Sequence, residues 1–132
     1  MGTKLRTYVD IMDLHNEVTG SCHFLVIKFP NNETARIVVD CGLFQEREND
    51  NYNRGFPFDA DKLDCVLVTH NHVDHTGRLP LLVKQGYRKE IYCTGATKMI
   101  MPLALVDSCK VLRDLSRRNN QKQLYSEFDV NE

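Results

Sequence analysis

The sequence predicts an α/β fold, with a mixed β-sheet and helices on one face of that sheet. Two observations lead to this prediction. Short runs rich in apolar and β-branched residues, bounded by turn residues, recur along the chain, and helix-like apolar patterns follow the later runs. The composition is that of a folded domain, with 42% apolar and 27% charged residues, and 132 residues suit one small domain with a modest core.

Three strands are predicted in the first part of the chain, at residues 4–9, 24–29 and 36–39. A polar loop that contains His15 and Glu17 follows the first strand. Pro30 begins a turn that joins the second and third strands as a hairpin. The third strand ends in a carboxylate, Asp40, which directly follows apolar positions and is therefore a candidate site residue.

A long polar loop is predicted at residues 45–57, and loops of this length are usually functional or mobile. Residues 65–69 then form an almost wholly apolar run, which is typical of a strand buried on both faces. A helix is expected to begin near residues 78–80, because Pro80 is tolerated in a first helical turn, and to stop at Gly86.

The last part of the chain predicts a short strand at residues 91–93 and a longer helix at residues 97–119. Pro102 is expected to kink this helix or to mark a restart after its first turn. A core-facing stripe recurs on it at i, i+4 and i+7, formed by Leu105, Cys109 and Leu112. The pattern of Ser126 followed by Asp129 predicts the start of a further helix.

Basic side chains lie on the other faces of the long helix, namely Lys110, Arg113, Arg117 and Arg118. A solvated helix face is favoured for them over an RNA-contacting patch, because charge runs on helices are common. The net charge of −1 excludes the global basic footprint of a stand-alone nucleic-acid binder.

The main chemical signal is an H-x-H-x-D-H motif that directly follows the apolar run, formed by His70, His72, Asp74 and His75. Imidazole and carboxylate groups are ligands of zinc and its neighbours. His70 and His72 are two residues apart at a strand end, so extended geometry points both side chains the same way and lets them share one ion. Asp74 and His75 follow as the chain turns, which aims them at a second point. A polar loop with histidines by chance is the disfavoured alternative.

At these residues the chain resembles the metallo-β-lactamase-fold hydrolases, whose hallmark is this motif. Further sequence words resemble the nucleic-acid-processing branch called β-CASP, at residues 17–23 (EVTGSCH), 38–45 (VVDCGLFQ), 77–82 (GRLPLL) and 91–94 (IYCT). That branch includes ribonuclease J-type enzymes and the endonuclease of messenger-RNA 3′ end formation. The likeness extends from about Tyr8 to the C-terminus.

The resemblance implies a fold larger than this sequence. The family fold is a four-layer αββα sandwich that carries an inserted second domain. Residues 1–132 are therefore expected to be the N-terminal portion of a metallo-β-lactamase domain, a truncated first part of the sandwich. The second half and the β-CASP domain are expected to be absent from these residues.

The resemblance also implies an activity, the metal-dependent hydrolysis of phosphodiester bonds in single-stranded RNA with two zinc ions per complete site. His70 and His72 are expected to hold the first ion, and Asp74 and His75 the second. Asp74 is expected to orient the attacking water as well. Asp40 matches the acid that hydrogen-bonds a ligand histidine in the family and fixes its tautomer, so Asp40 and Asp74 are the predicted catalytic residues.

The ligand count leaves alternatives open. Two zinc ions need roughly five to seven protein donors, whereas the motif supplies four, and no histidine follows His75. The chain is either an incomplete part of a nuclease, or a protein completed by a homodimer partner, or a non-catalytic metal-binding fragment. A thioester or lactam hydrolase on the same fold is the rival enzyme, because the motif alone does not distinguish acyl from phosphoryl substrates.

The remaining polar candidates are weaker. Ser21, beside Gly20, either caps a turn or holds a phosphate. His15 and His23 are expected to be structural or surface residues, because neither belongs to the ligand spacing. The five cysteines are odd in number and lack a C-x-x-C pair, so they predict reduced residues in a cytoplasmic protein, and Cys41 and Cys93 are minor candidates for a metal contact. No apolar run approaches the ~20 residues of a membrane span, so no membrane partner is expected.

Overall fold

A five-stranded mixed sheet forms the centre of the computed structural model, which describes residues 6–13 and 17–132. The strands are β1 (Tyr8–Asp13), β2 (His23–Lys28), β3 (Thr34–Val39), β4 (Cys65–Leu67) and β5 (Ile91–Tyr92). Their order in the sheet follows the sequence, with β1, β2 and β3 antiparallel and β3, β4 and β5 parallel. The predicted α/β class with a mixed sheet is confirmed.

The described residues form four α-helices and two 3₁₀ segments. They are α1 (Val73–Thr76), α2 (Leu79–Lys84), α3 (Gly95–Arg118), α4 (Glu127–Asn131) and the 3₁₀ segments Arg47–Arg54 and Ala60–Lys62. No helix in this part of the chain is long and apolar enough to cross a bilayer. The predicted capping pattern before α4 is confirmed, because the side chain of Asp129 accepts hydrogen bonds from both the backbone N–H and the hydroxyl of Ser126.

The long helix α3 differs from its prediction at two points. It begins at Gly95 rather than 97, because the hydroxyl of Thr94 caps it by accepting from the backbone N–H of Thr97 at 3.3 Å. Of the two outcomes predicted at Pro102, the restart is wrong, since one helix runs through this residue, and the kink stays a prediction. Lys98 and Pro102 are both exposed, so the Lys98 carbonyl that the proline leaves without a helical donor is on the solvent side of the helix.

The first strand lies further along the chain than predicted, at Tyr8–Asp13 instead of residues 4–9, and Lys4 lies outside the described residues. Pairing with β2 sets these bounds, because the register runs from Tyr8 opposite Lys28 to Asp13 opposite His23. The charged side chain of Asp10 is tolerated in β1 because this strand is at the edge of the sheet and because Asp10 forms an ion pair with Lys28 at 3.5 Å.

The predicted loop at residues 45–57 contains the 3₁₀ segment Arg47–Arg54. The buried side chain of Asn53 explains this local order. Its amide oxygen accepts from the backbone N–H of Phe44 at 2.8 Å, and its amide nitrogen donates to the carbonyl of Phe44 at 2.9 Å. The two bonds fasten the C-terminal part of the segment to the chain leaving β3.

One face of the sheet carries the main hydrophobic core. Phe24, Val38 and Val66 lie side by side on this face and pack with Leu63, Leu79, Leu82 and Tyr87. A second cluster joins α2, α3 and α4 and contains Leu43, Leu81, Cys109, Leu124 and Tyr125. The predicted stripe on α3 is therefore the core-facing one, with Leu105 and Cys109 buried and Leu112 packed against the second cluster.

Among the described residues, the side chains on the opposite face of the sheet are mainly apolar and are half-buried or exposed. The prediction that β4 is buried on both faces is wrong, because Leu67 is 38% exposed and the core lies on the side of Val66. The register aligns Leu67 with Val39 and Tyr92 on this uncovered face. At the edge of the sheet, Ile11 on the same face is 66% exposed.

We expect the 132-residue chain to self-associate through this uncovered face, because contiguous exposed apolar surface beside a sheet edge favours pairing. The double substitution Val9→Thr with Ile11→Thr keeps β propensity while removing apolar area, and should shift the species measured by sedimentation velocity towards the monomer. Phe128→Ser is the control, since Phe128 is 69% exposed on α4, away from the sheet. A wild-type chain that is monomeric across the micromolar range would contradict the expectation.

Candidate metal centre

The H-x-H-x-D-H motif lies at the carboxyl ends of the parallel strands. β4 ends at Leu67, an extended loop carries His70 and His72, and α1 carries Asp74 and His75. Parallel strands have their carboxyl ends on the same side of a sheet. Asp40, which follows β3, therefore lies beside this loop. Backbone bonding continues past the strands here, because the N–H of Asp40 donates to the carbonyl of Leu67 at 2.8 Å.

All four motif side chains lie in one cluster. The ring centroids of His70 and His75 are 4.0 Å apart and those of His70 and His72 are 4.6 Å apart. Asp74 Oδ2 lies 3.6 Å from His75 Nε2. Within residues 6–13 and 17–132, however, no group of three or more His, Cys, Asp or Glu donors already converges as a metal site. The assignment of residues to two ions stays a prediction.

Asp40 is the carboxylate that organises this cluster. It is 2% exposed and adopts a left-handed backbone conformation with φ of 59°. Its Oδ2 lies 2.8 Å from His75 Nδ1, and its Oδ1 accepts from the backbone N–H of Thr69 at 2.8 Å. When His75 donates from Nδ1, the lone pair of Nε2 is left available to a metal. The catalytic role predicted for Asp40 remains a prediction.

Thr69 connects the same carboxylate to His70. This link was not predicted from the sequence. The hydroxyl of Thr69 donates to Asp40 Oδ2 at 2.7 Å and lies 2.9 Å from His70 Nδ1. A hydroxyl has a single proton and a carboxylate only accepts, so His70 is the donor in the second bond, and its Nε2 is left free. A hydroxyl residue immediately before the motif was the signal that could have revealed this link.

Backbone packing holds the turn that carries Asp74 and His75. The N–H groups of Cys41 and Leu43 donate to the carbonyls of His75 and Val73 at 2.7 and 2.9 Å. Between them, Gly42 approaches so closely that a Cβ atom on it would lie 1.5 Å from the carbonyl oxygen of Asp74. Glycine is therefore required at this position.

Ser21 also contacts the turn, and its backbone N–H donates to the carbonyl of Asp74 at 2.9 Å. This amide is thus engaged, which favours a structural role over the phosphate site considered from the sequence. The hydroxyl of Ser21 lies 3.3 Å from His23 Nε2. His15, the other histidine expected to be structural, lies outside the described residues.

The chemistry of the side chains fits a divalent transition metal. Three imidazoles and one carboxylate are nitrogen and oxygen donors of the type that zinc accepts. Cys41 does not fit a ligand role, because burial and the neighbouring Cys22 raise the pKa of the Cys41 thiol well above its usual range and keep it protonated. All five cysteines are free thiols, and Cys93 is half-buried.

Comparisons relate this chain to known proteins. A family model described as the metallo-beta-lactamase superfamily matches residues 17–112.

Ribonuclease TTHA0252 of Thermus thermophilus is 44% identical over 96 residues, which are 73% of this chain and 21% of that protein. Transcription termination factor FttA of Methanocaldococcus jannaschii is 36% identical over 120 residues, 86% of this chain and 17% of that protein. Endoribonuclease ysh1 of Aspergillus fumigatus is 31% identical over 116 residues, 86% of this chain and 13% of that protein. The chain spans about a fifth or less of the length of these relatives.

Replacement of Asp40 by asparagine should weaken zinc binding by about 10–100-fold, because removal of a partner that orients a ligand histidine typically has an effect of this size. Asparagine tolerates the left-handed backbone, so the fold should persist. Zinc titration followed by calorimetry measures the effect. Asp64→Asn is the matched control, since the Asp64 carboxylate also accepts from a backbone N–H, that of Arg36 at 2.7 Å, but away from the cluster. Equal zinc affinity in wild type and Asp40→Asn would contradict the assigned role.

Replacement of Gly42 by alanine should destabilise the chain by roughly 3 kcal/mol or more, because the new methyl group overlaps backbone that has little room to move. Urea unfolding measures the change in the free energy of unfolding. At Gly55 a Cβ atom meets no heavy atom within 4 Å. Gly55→Ala should therefore stay within about 0.5 kcal/mol of wild type. The expectation fails if the two variants are equally stable.

Proposed function

Because the chain belongs to the metallo-beta-lactamase superfamily, we propose that it supplies the metal-binding motif of a hydrolase that cleaves phosphodiester bonds in single-stranded RNA. The proposal depends on one structural observation. Three imidazoles and a carboxylate are gathered at the carboxyl ends of the parallel strands, and the Nδ1 atoms of His70 and His75 are engaged by Thr69 and Asp40.

The relatives support RNA as the substrate class. Two of the relatives reported above carry the names ribonuclease and endoribonuclease, and the third is named a transcription termination factor. The resemblance to RNA-processing members of the superfamily, predicted from the sequence, is confirmed by these matches. We propose zinc as the metal, two ions per complete site, since the donors are imidazole and carboxylate groups.

Bound divalent ions lower the pKa of water towards neutrality and neutralise charge on a phosphodiester. The chain's own residues prepare this chemistry. Asp40 and Thr69 engage the Nδ1 atoms of His75 and His70, which favours the tautomers whose Nε2 atoms carry a lone pair for a metal. Asp74, which is partly exposed beside His75, offers a carboxylate that can accept a proton from the attacking water and orient it.

The four donors of the motif are too few to complete a site for two zinc ions, so further protein ligands are required. We propose that residues 1–132 form the N-terminal portion of a metallo-β-lactamase domain, and that the remaining ligands come from a further portion or from a second copy of the chain. The basic side chains of α3 are not assigned to RNA, and Arg113 already lies 3.6 Å from Glu127. Free cysteines support a reducing compartment, and we propose the cytoplasm.

Zinc per chain and mass in solution are the decisive first measurements, by elemental analysis and light scattering. We expect zinc that is retained by wild type and by His23→Ala but lost by His72→Ala, because only His72 belongs to the motif. Two zinc ions per chain in a dimer would place the missing ligands on a second copy. Zinc retention by His72→Ala would contradict the proposed ligand set.

The substrate class needs a separate assay with the zinc-loaded protein. Cleavage of a single-stranded RNA oligonucleotide is expected to follow zinc content across the same variants. Parallel assays with a chromogenic lactam and with a thioester test the rival acyl chemistry. Turnover of either of these substrates without cleavage of RNA would contradict the proposed substrate while leaving the metal site intact.

A further inference from the structure

Arg78 carries a charged guanidinium group in the interior of the part of the chain that the structure describes. It follows residues 73–75, which we call the metal-binding turn, is 2% exposed and is the largest of the fully buried side chains within residues 6–13 and 17–132. A buried charge is costly unless hydrogen bonds and nearby polarisable groups compensate it. Its described contacts are with carbonyl oxygens and aromatic rings rather than with a carboxylate, and its Nη2 has no hydrogen-bond partner among them.

Three carbonyls converge on this side chain. Arg78 Nε donates to the carbonyl of Gly42, and Nη1 donates to those of Tyr52 and Gly55 at 2.7 and 3.5 Å. The rings of Phe44 and Phe56 lie 5.0 and 4.9 Å from its Cζ atom. We call Arg78 and these three carbonyls the Arg78 clamp. It spans the start and end of the segment from 42 to 55.

The clamp reaches the metal-binding turn through the backbone. The N–H of Arg78 donates to the carbonyl of Cys41 at 2.8 Å. Residues 41–43 in turn hydrogen-bond to residues 73–75, with Gly42 in direct contact with the carbonyl of Asp74. The position of residues 73–75 therefore depends on a segment that Arg78 holds from the other side.

We infer that Arg78 is a positioning residue for the metal-binding turn, because its clamp fixes residues 41–43 against the backbone of Asp74 and His75. The expected effect of Arg78 on metal binding rests on the proposed function, whereas its effect on the position of the turn does not. Lysine cannot replace Arg78, since a single ammonium lacks the planar, fixed set of donors that reaches three separate carbonyls.

Hydrogen exchange measured by NMR in the absence of metal tests the clamp itself. In Arg78→Lys, exchange of the Cys41 and Leu43 amides should rise by at least about tenfold, because the opening of this local unit is facilitated. The amide of Val68, which donates to Tyr92 within the extended sheet, should keep its protection. Arg54→Lys is the matched control, because Arg54 ties the same segment to Gln121 and Lys122 instead of to the turn.

Two results would overturn the inference. The first is unchanged exchange at Cys41 and Leu43 in Arg78→Lys. The second is an equal rise at Val68, which would show a general loss of stability rather than a local release. If Arg78→Lys does not fold, exchange of the wild-type chain in graded denaturant decides instead. If the amides of Cys41, Leu43 and Gly77 exchange with one common opening free energy, the result supports the clamp. If their opening free energies differ, the result overturns it.

A metal readout then links the clamp to the site. Cobalt titration of the folded variant should show an affinity at least about tenfold weaker than that of wild type, with altered visible absorption, because the ligands of the turn are displaced. Arg54→Lys should match wild type in both. A wild-type chain that binds no cobalt would count against the proposed function, whereas the exchange experiment would still decide the role of Arg78.

Discussion

A buried carboxylate must be satisfied by donors other than water, and Asp40 finds its donors in the segment that carries the candidate metal ligands. The N–H and hydroxyl of Thr69 and the imidazole of His75 surround its two oxygens. This interaction joins the end of β3 to both sides of the motif, the loop after β4 and the helix α1. The left-handed backbone at Asp40 follows from it, because the strand must stop and turn its side chain towards these donors.

The second constraint is the close approach of backbones around Gly42. A carbonyl of the turn lies where any side chain at this position would stand, so the chain after β3 and the turn form one packed unit. Arg78 closes that unit from its other side. Backbone hydrogen bonds and one buried cation therefore hold the turn, in addition to the side chains of Asp40 and Thr69. The apolar cores lie beneath the sheet and between the helices.

Much of this arrangement could be predicted from local pattern. The histidine spacing, the carboxylate after a strand and the alternation of apolar residues each act over a few residues, so the fold class and the motif residues were accessible. The exposed face of β4 was not accessible from the apolar run itself, because such a run does not show whether a second layer covers it. Only the resemblance to a two-sheet sandwich indicated that one face of the sheet would lack its partner layer. Thr69 was missed since its role depends on Asp40, 29 residues away in sequence. The buried state of Arg78 was equally inaccessible, because its partners are the backbone carbonyls of Gly42, Tyr52 and Gly55, and a sequence pattern does not show where backbone carbonyls point.

The hydroxyl of Thr69 and the ring of His75 share one carboxylate oxygen of Asp40. His70 and His75 consequently cannot reorient independently, because a shift of either ring is felt by the group that orients the other. If these two rings serve different ions, both binding events act on the same carboxylate oxygen, so binding of one ion changes the binding free energy of the other. Thermodynamic linkage then makes the coupling reciprocal: the factor by which the first ion changes the affinity for the second equals the factor by which the second changes the affinity for the first.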